Sequence, residues 1–258
     1  MIRWLKSGPA ATSPLNRFPA RLGFDIPPEN LDRIYLVGDI HGRLDLLLEM
    51  DRKIEADIED EQRSLVIYLG DLIDRGPDSR GVIEHLRTDR NPKFLRLSLR
   101  GNHDDVFLRF LEDPHREWGW FDLGGRETLR SYGLVLDPHR DRKLEPKVLQ
   151  DLLRTHIPQG HRDYLLKTPL WAKCGDFLFV HAGIQPGIPL DQQDPFDFMW
   201  IREPFLRDGP GLPLTVVHGH TPGNSITYGP NRIGIDTGAY ATGRLSALRI
   251  VNGEASEL

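Results

Sequence analysis

A chain of 258 residues with 39% hydrophobic side chains can bury a full core as one large α/β domain, and its single cysteine, Cys174, excludes an internal disulfide. The 33 basic and 38 acidic residues leave a formal net charge of -5, which excludes a general pull toward nucleic acid or anionic lipid, so any phosphate affinity has to be local. No apolar stretch approaches a membrane span and the start, Met1 to Lys6, lacks the apolar centre of a signal peptide, so the expected location is the cytoplasm, with neither nucleic acid nor membrane as a partner.

Residues 1–28 carry Pro9, Pro14, Pro19, Pro27 and Pro28 without a lasting period and are expected to form a loosely attached leader to a single domain, 29–258. The run Ile34 to Val37 reads as a strand, and Leu44 to Ile58 as a helix with Leu47, Leu48, Ile54 and Ile58 on one face. The unit repeats: Leu65 to Leu69 as strand, Ser79 to Leu86 as helix, Phe94 to Leu99 as strand. Near-continuous apolar runs alternating with helices predict a parallel sheet covered on both faces, with a ligand crevice at its carboxyl edge. From about 105 to 170 the pattern is helical, an insertion with no metal-ligand spacing; its Trp118 to Gly125 segment reads as packed aromatics or as a groove wall. The second half is strand-rich, with Phe177 to Val180, Leu214 to Val217, Arg232 to Ile235 and Leu245 to Val251, and predicts a second sheet packed on the first.

Five short stretches follow these runs: Gly38-Asp39-Ile40-His41-Gly42, Gly70-Asp71-Leu72-Ile73-Asp74-Arg75-Gly76, Gly101-Asn102-His103-Asp104, His181-Ala182-Gly183 and His218-Gly219-His220-Thr221. Any one alone is an ordinary turn. Together they place carboxylate, amide and imidazole donors at strand ends, where an α/β fold assembles its site, and such a donor set suits two divalent cations. Asp39 and His41, two residues apart, would point the same way if both followed the strand pleat.

In this order the five stretches resemble the signature blocks of the calcineurin-like metallophosphoesterases, and specifically the bacterial serine/threonine protein phosphatase branch, over about Ile34 to Tyr240. The resemblance implies a four-layer α/β/β/α sandwich of two mixed sheets. It implies Asp39 and His41 on one ion, Asp71 as the bridge, and Asn102, His181 and His220 on the other. It also implies His103 as the acid that protonates the leaving oxygen, Asp74 as its orienting carboxylate, and Arg75 with Arg202 as phosphate grips. The metals would be manganese, with iron, zinc or cobalt as alternatives, and the pair would activate water as the nucleophile. Asp104 stands where the eukaryotic enzymes of the family usually have glutamate, and His218 and Asp236 are expected to stand behind the ligands.

The expected substrate is phosphoprotein. The rival is a dinucleoside polyphosphate hydrolase, a sister branch that typically lacks an acid at the position of Asp74. A catalytically dead scaffold would have lost a ligand, and none is missing. A nuclease would carry a basic, aromatic-interleaved stripe, which this chain lacks. Oligomeric state leaves no trace in the sequence.

Overall fold

The computed structural model describes residues 23–59, 62–88 and 91–258. Its strands are β1 (Gly23–Ile26), β2 (Arg33–Val37), β3 (Ser64–Tyr68), β4 (Phe94–Ser98), β5 (Trp171–Cys174), β6 (Phe177–Val180), β7 (Thr215–His218), β8 (Thr227–Gly229), β9 (Arg232–Gly234), β10 (Ala247–Val251) and β11 (Glu254–Glu257). They form a five-stranded sheet in the order β11-β10-β2-β3-β4 and a six-stranded sheet in the order β1-β5-β6-β7-β9-β8. In the first, β2, β3 and β4 are parallel, while β10 runs antiparallel to β2. In the second, β6, β7 and β9 are parallel neighbours.

Alternation along the strands sorts side chains into layers. Ile34, Leu36, Leu65 and Ile67 join Phe179, Val217, Ile233, Leu248 and Ile250 between the two sheets, with Cys174 buried among them. Tyr35, Val37, Val66 and Tyr68 point the other way, against helices 44–57, 79–88 and those of the insertion. Leu178, Val180 and Val216 pack on Phe198, Met199 and Phe205 beyond the second sheet. Helix, sheet, sheet, helix is the expected four-layer sandwich. Among the described residues, no helix is long and apolar enough to cross a membrane.

Three expectations shift. Residues 23–26, counted with the leader, form β1, which pairs in parallel with β5 and buries Phe24 and Ile26 between the sheets; residues 1–22 lie outside the described residues. The last predicted strand, realised as β10, joins the first sheet, because Leu248 and Ile250 complete the apolar layer beside Leu36 and Ile34. On helix 44–57, Leu48 faces outward at 38% exposure, and Met50 takes its place in the core.

Below the first sheet lies a buried polar knot. Asp51 accepts from Tyr68 Oη, Arg96 Nη2 and His85 Nε2, each at 2.7 Å. Burial pushes its pKa up, but hydrogen bonds from His85 and Tyr68 and the charge of Arg96 outweigh this and hold it below the ordinary carboxylate value. A depressed folded-state pKa adds stability that is complete above the unfolded-state value of about 3.9 and is lost as pH falls through the lower folded-state value. Asp51→Asn therefore removes about 3 kcal/mol or more at pH 7, since it takes a buried anionic acceptor away from the Arg96 guanidinium, and it flattens the acid limb of stability below about pH 4. Urea unfolding at pH 7 and pH 4 tests both; equal wild-type and variant midpoints at pH 7 would refute it.

Candidate metal centre

The parallel order of β2, β3 and β4, and of β6 and β7, brings the carboxyl ends of both sheets to one edge. Asp39 and His41 lie in the loop after β2, Asp71 after β3, Asn102 at the first turn after β4, His181 just after β6 and His220 two residues past β7. All six are buried. The strand pleat does not bring Asp39 and His41 together, because β2 ends at Val37 and His41 has φ 45°. Five of the seven non-glycine residues with positive φ among the described residues are His41, Asp71, Asp74, Arg75 and His220. Such a concentration of left-handed backbone marks loops held in shape for a purpose other than stability. Close approach also needs glycine: a Cβ on Gly101 would overlap Asp71 Oδ1, and one on Gly219 would overlap Asp39 Oδ1.

Asp71 is central. Its Oδ1 lies 3.4 Å from His181 Nε2, and its Oδ2 lies 3.6 Å from His41 Nε2 and 3.8 Å from His103 Nε2. Asn102 Oδ1 lies 2.9 Å from both His181 Nε2 and His220 Nδ1. Two trios of donor atoms result, His41–Asp71–His103 and Asp71–His181–His220, and they share Asp71. Asp39 belongs to neither by this measure. Its oxygens accept the His220 backbone N–H at 3.1 and 3.2 Å, and Oδ1 lies 4.0 Å from His181 Nδ1. Burial and the neighbouring Asp236 and Asp71 raise the Asp39 pKa well above normal, so this carboxyl is held among like charges.

The residues fit divalent ions. Ligand bonds of about 2.1 Å at a tetrahedral angle put donor atoms about 3.4 Å apart, close to the Asp71-to-imidazole separations. His41 and His181 donate Nδ1–H to the carbonyls of Ile73 at 2.8 Å and Leu69 at 2.9 Å, which leaves their Nε2 lone pairs facing inward. Burial pushes the His41 pKa down to about 3, and burial with His181 pushes that of His220 down to about 2, so both are neutral imidazoles at pH 7, as ligands must be. Among the described residues, His220 Nε2 is buried without a hydrogen-bond partner. For Asp71, burial alone would raise the pKa, but the imidazoles of His181, His103, His41 and His220 hold it far below normal.

His103 stands beside this cluster with Nδ1 at 2.8 Å from Asp74 Oδ2. Burial opposes its protonation, yet Asp71 and the hydrogen bond to Asp74 raise its pKa above the ordinary imidazole value. Arg75 reaches across the mouth, with Nη1 3.1 Å from His41 Nε2 and Nη2 3.0 Å from His103 Nε2, and its guanidinium lies 4.7 Å from the Tyr240 ring centre. Arg202 is exposed, with no ion pair among the described residues, and near enough that its charge disfavours protonation of His181 and His220. Asp104 accepts the backbone N–H groups of Gly101 at 2.9 Å and Leu72 at 3.1 Å, so it ties the helix start to the Asp71 loop. His218 and Asp236 are buried behind the ligands.

Four neighbours carry no sequence signal. Trp120, Thr128 and Ser79 reach Asp74, and Tyr240 packs edge-on to His41 at 5.4 Å. The aromatic segment turns out to be core, since Trp118, Trp120 and Phe121 are buried together, and it touches the site through the Trp120 indole.

Known proteins give the same picture. A serine/threonine-protein phosphatase 1 of Salmonella typhimurium is 29% identical over 236 residues, covering 87% of this chain and 95% of that protein. A bis(5'-nucleosyl)-tetraphosphatase, PrpE, of Oceanobacillus iheyensis is 25% identical, covering 84% and 88%. A crystal structure provisionally described as a diadenosine tetraphosphatase superposes with a TM-score of 0.62 at 24% identity, covering 92% of this chain and 96% of that one, a likeness of fold. The family model for calcineurin-like phosphoesterases matches residues 32–242, a span that includes both donor trios, and the chain belongs to that metal-dependent family.

Proposed function

We propose that the protein hydrolyses phosphate monoesters on serine and threonine side chains of proteins, in the cytoplasm, with Asp39, His41, Asp71, Asn102, His181 and His220 holding two divalent ions. The observation that carries this reading is the buried Asp74–His103 pair at 2.8 Å beside the ligands. A serine or threonine ester expels a strongly basic alkoxide that needs a proton as it leaves, whereas a polyphosphate expels a stable anion that needs none.

When bound, the ions supply Lewis acidity toward phosphoryl oxygens and an activated water. Mixed carboxylate, amide and imidazole ligation suits manganese and also accepts iron, zinc or cobalt. Arg75 is already placed as a fork at the mouth, and a phosphoryl group offers it two anionic oxygens in place of two imidazole nitrogens. Arg202, exposed and near His181 and His220, adds a second positive charge. Losing one charge-assisted contact of roughly 1.5–3 kcal/mol predicts that Arg202→Ala raises KM for phosphopeptide about tenfold or more, with kcat changed less. Unchanged KM would remove Arg202 from the substrate grip.

A second reading, dinucleoside polyphosphate hydrolysis, is favoured by relatives that carry that name and by an aromatic ledge. Phe196 and Trp200 stack at 5.7 Å and 9°, and Trp200 lies 6.2 Å from His220, a surface on which a nucleobase could rest. Side-by-side assay of phosphoserine and phosphothreonine peptides against diadenosine tetraphosphate, with manganese and with excess chelator, separates the two. The expected result is a kcat/KM for peptide at least about tenfold higher, abolished by chelator. The opposite preference puts the second reading in place of the first.

A further inference from the structure

The helical insertion reaches the site through groups that no ligand spacing announces. Trp120 Nε1 donates to Asp74 Oδ2 at 2.8 Å, and Thr128 Oγ1 donates to Asp74 Oδ1 at 2.7 Å. His103 Nδ1 shares Oδ2 with the indole, also at 2.8 Å. Asp74 has no exposed surface, so these donors hold its carboxylate where water would otherwise do so. Thr128 Oγ1 also accepts the Asp74 backbone N–H at 2.9 Å and lies 2.9 Å from Ser79 Oγ. The carbonyl of Gly124 accepts the N–H of Arg75 at 3.2 Å. The insertion thus grips both ends of a two-residue turn whose φ values, 72° and 67°, lie in the left-handed region that non-glycine residues seldom adopt.

The geometry has a chemical result. With Oδ1 tied to a hydroxyl and Oδ2 shared by indole and imidazole, the carboxylate plane cannot turn, and His103 is kept in the tautomer with its proton on Nδ1. In neutral His103 the opposite nitrogen, Nε2, accepts from Arg75 at 3.0 Å, and the form that donates is the imidazolium, which carries a second proton on Nε2 once the guanidinium turns to phosphoryl oxygens. Nε2 is then the atom that faces the cluster, 3.8 Å from Asp71 Oδ2.

We propose that Trp120 and Thr128 are positioning residues for proton delivery: they fix the Asp74 carboxylate, and through it the direction in which His103 Nε2 presents its proton to the departing alcohol. The inference rests on the reading of His103 as that donor.

A purely structural role is separable from this one. The Trp120 ring packs against Phe107 at 5.1 Å and Phe110 at 4.6 Å, so Trp120→Phe keeps an aromatic ring in that packing and removes the N–H. Thr128→Val keeps the shape and removes the hydroxyl. The manganese-loaded full chain is assayed on a phosphoserine peptide, whose leaving group needs a proton, and on 2,4-dinitrophenyl phosphate, whose leaving group does not, with circular dichroism as the check on folding. Proton donation being worth roughly 10²–10⁴ in rate, each variant is expected to lower the peptide-to-aryl ratio of kcat by about tenfold or more with KM little changed. Thr128→Ser, which restores the hydroxyl, is expected to recover the ratio. His103→Asn is the reference. If it leaves the ratio intact, the donor reading itself falls. If it lowers the ratio while Trp120→Phe and Thr128→Val slow both substrates equally, or neither, the positioning inference is overturned.

Discussion

Replacing Asp71 with Asn is expected to lower kcat on phosphopeptide by more than about 10³-fold while the protein stays folded, because this is the one side chain that serves both donor trios. Asn has the same shape, tolerates the left-handed backbone at φ 48°, and keeps one oxygen. What it loses is the second anionic oxygen: in the native site Oδ1 faces His181 and Oδ2 faces His41 and His103, whereas an amide turns an N–H₂ donor toward one of those two sides. A cation on that side would meet a positive dipole. Metal content by mass spectrometry should fall from two ions per chain to one or fewer, with circular dichroism unchanged. Two tightly held ions and more than a tenth of native turnover would sink the bridging assignment.

The second large effect is expected at His103. Removing a general acid costs about 10²–10⁴ in rate where the leaving group is basic, so His103→Ala should slow phosphoserine and phosphothreonine hydrolysis by at least about 10² while sparing activated aryl esters in comparison. His103 is not among the six proposed ligands, so both ions should be retained. Retained ions with an equal loss on both ester classes would make His103 a substrate-binding group and not a proton donor. Loss of an ion would make it a ligand, a role for which the His41–Asp71–His103 trio leaves geometric room.

Much of this was legible in the sequence because the site is built where apolar runs end. A run of strand length followed by Gly-Asp or Gly-Asn states both the element and the edge, and the three parallel neighbours β2, β3 and β4 put those edges side by side. Asp39 and His41 do not share a strand pleat as expected, since β2 ends at Val37 and a tight turn carries both residues. Short strands escaped notice. β1, β5, β8 and β11 are three or four residues each, and Lys173, Glu254 and Glu257 interrupt their apolar character. Trp120 and Thr128 escaped for another reason: they meet Asp74 from 46 and 54 positions away, and only the docking of the insertion brings an indole and a hydroxyl onto that carboxylate.

The six proposed ligands divide between the layers: Asp39, His41, Asp71 and Asn102 hang from the five-stranded sheet, His181 and His220 from the six-stranded one. Cation affinity therefore doubles as a gauge of how firmly the two halves of the sandwich are clasped. Loosening the apolar seam far from the chemistry, at Leu36 or Phe179, would register as faster ion escape before any strand is lost.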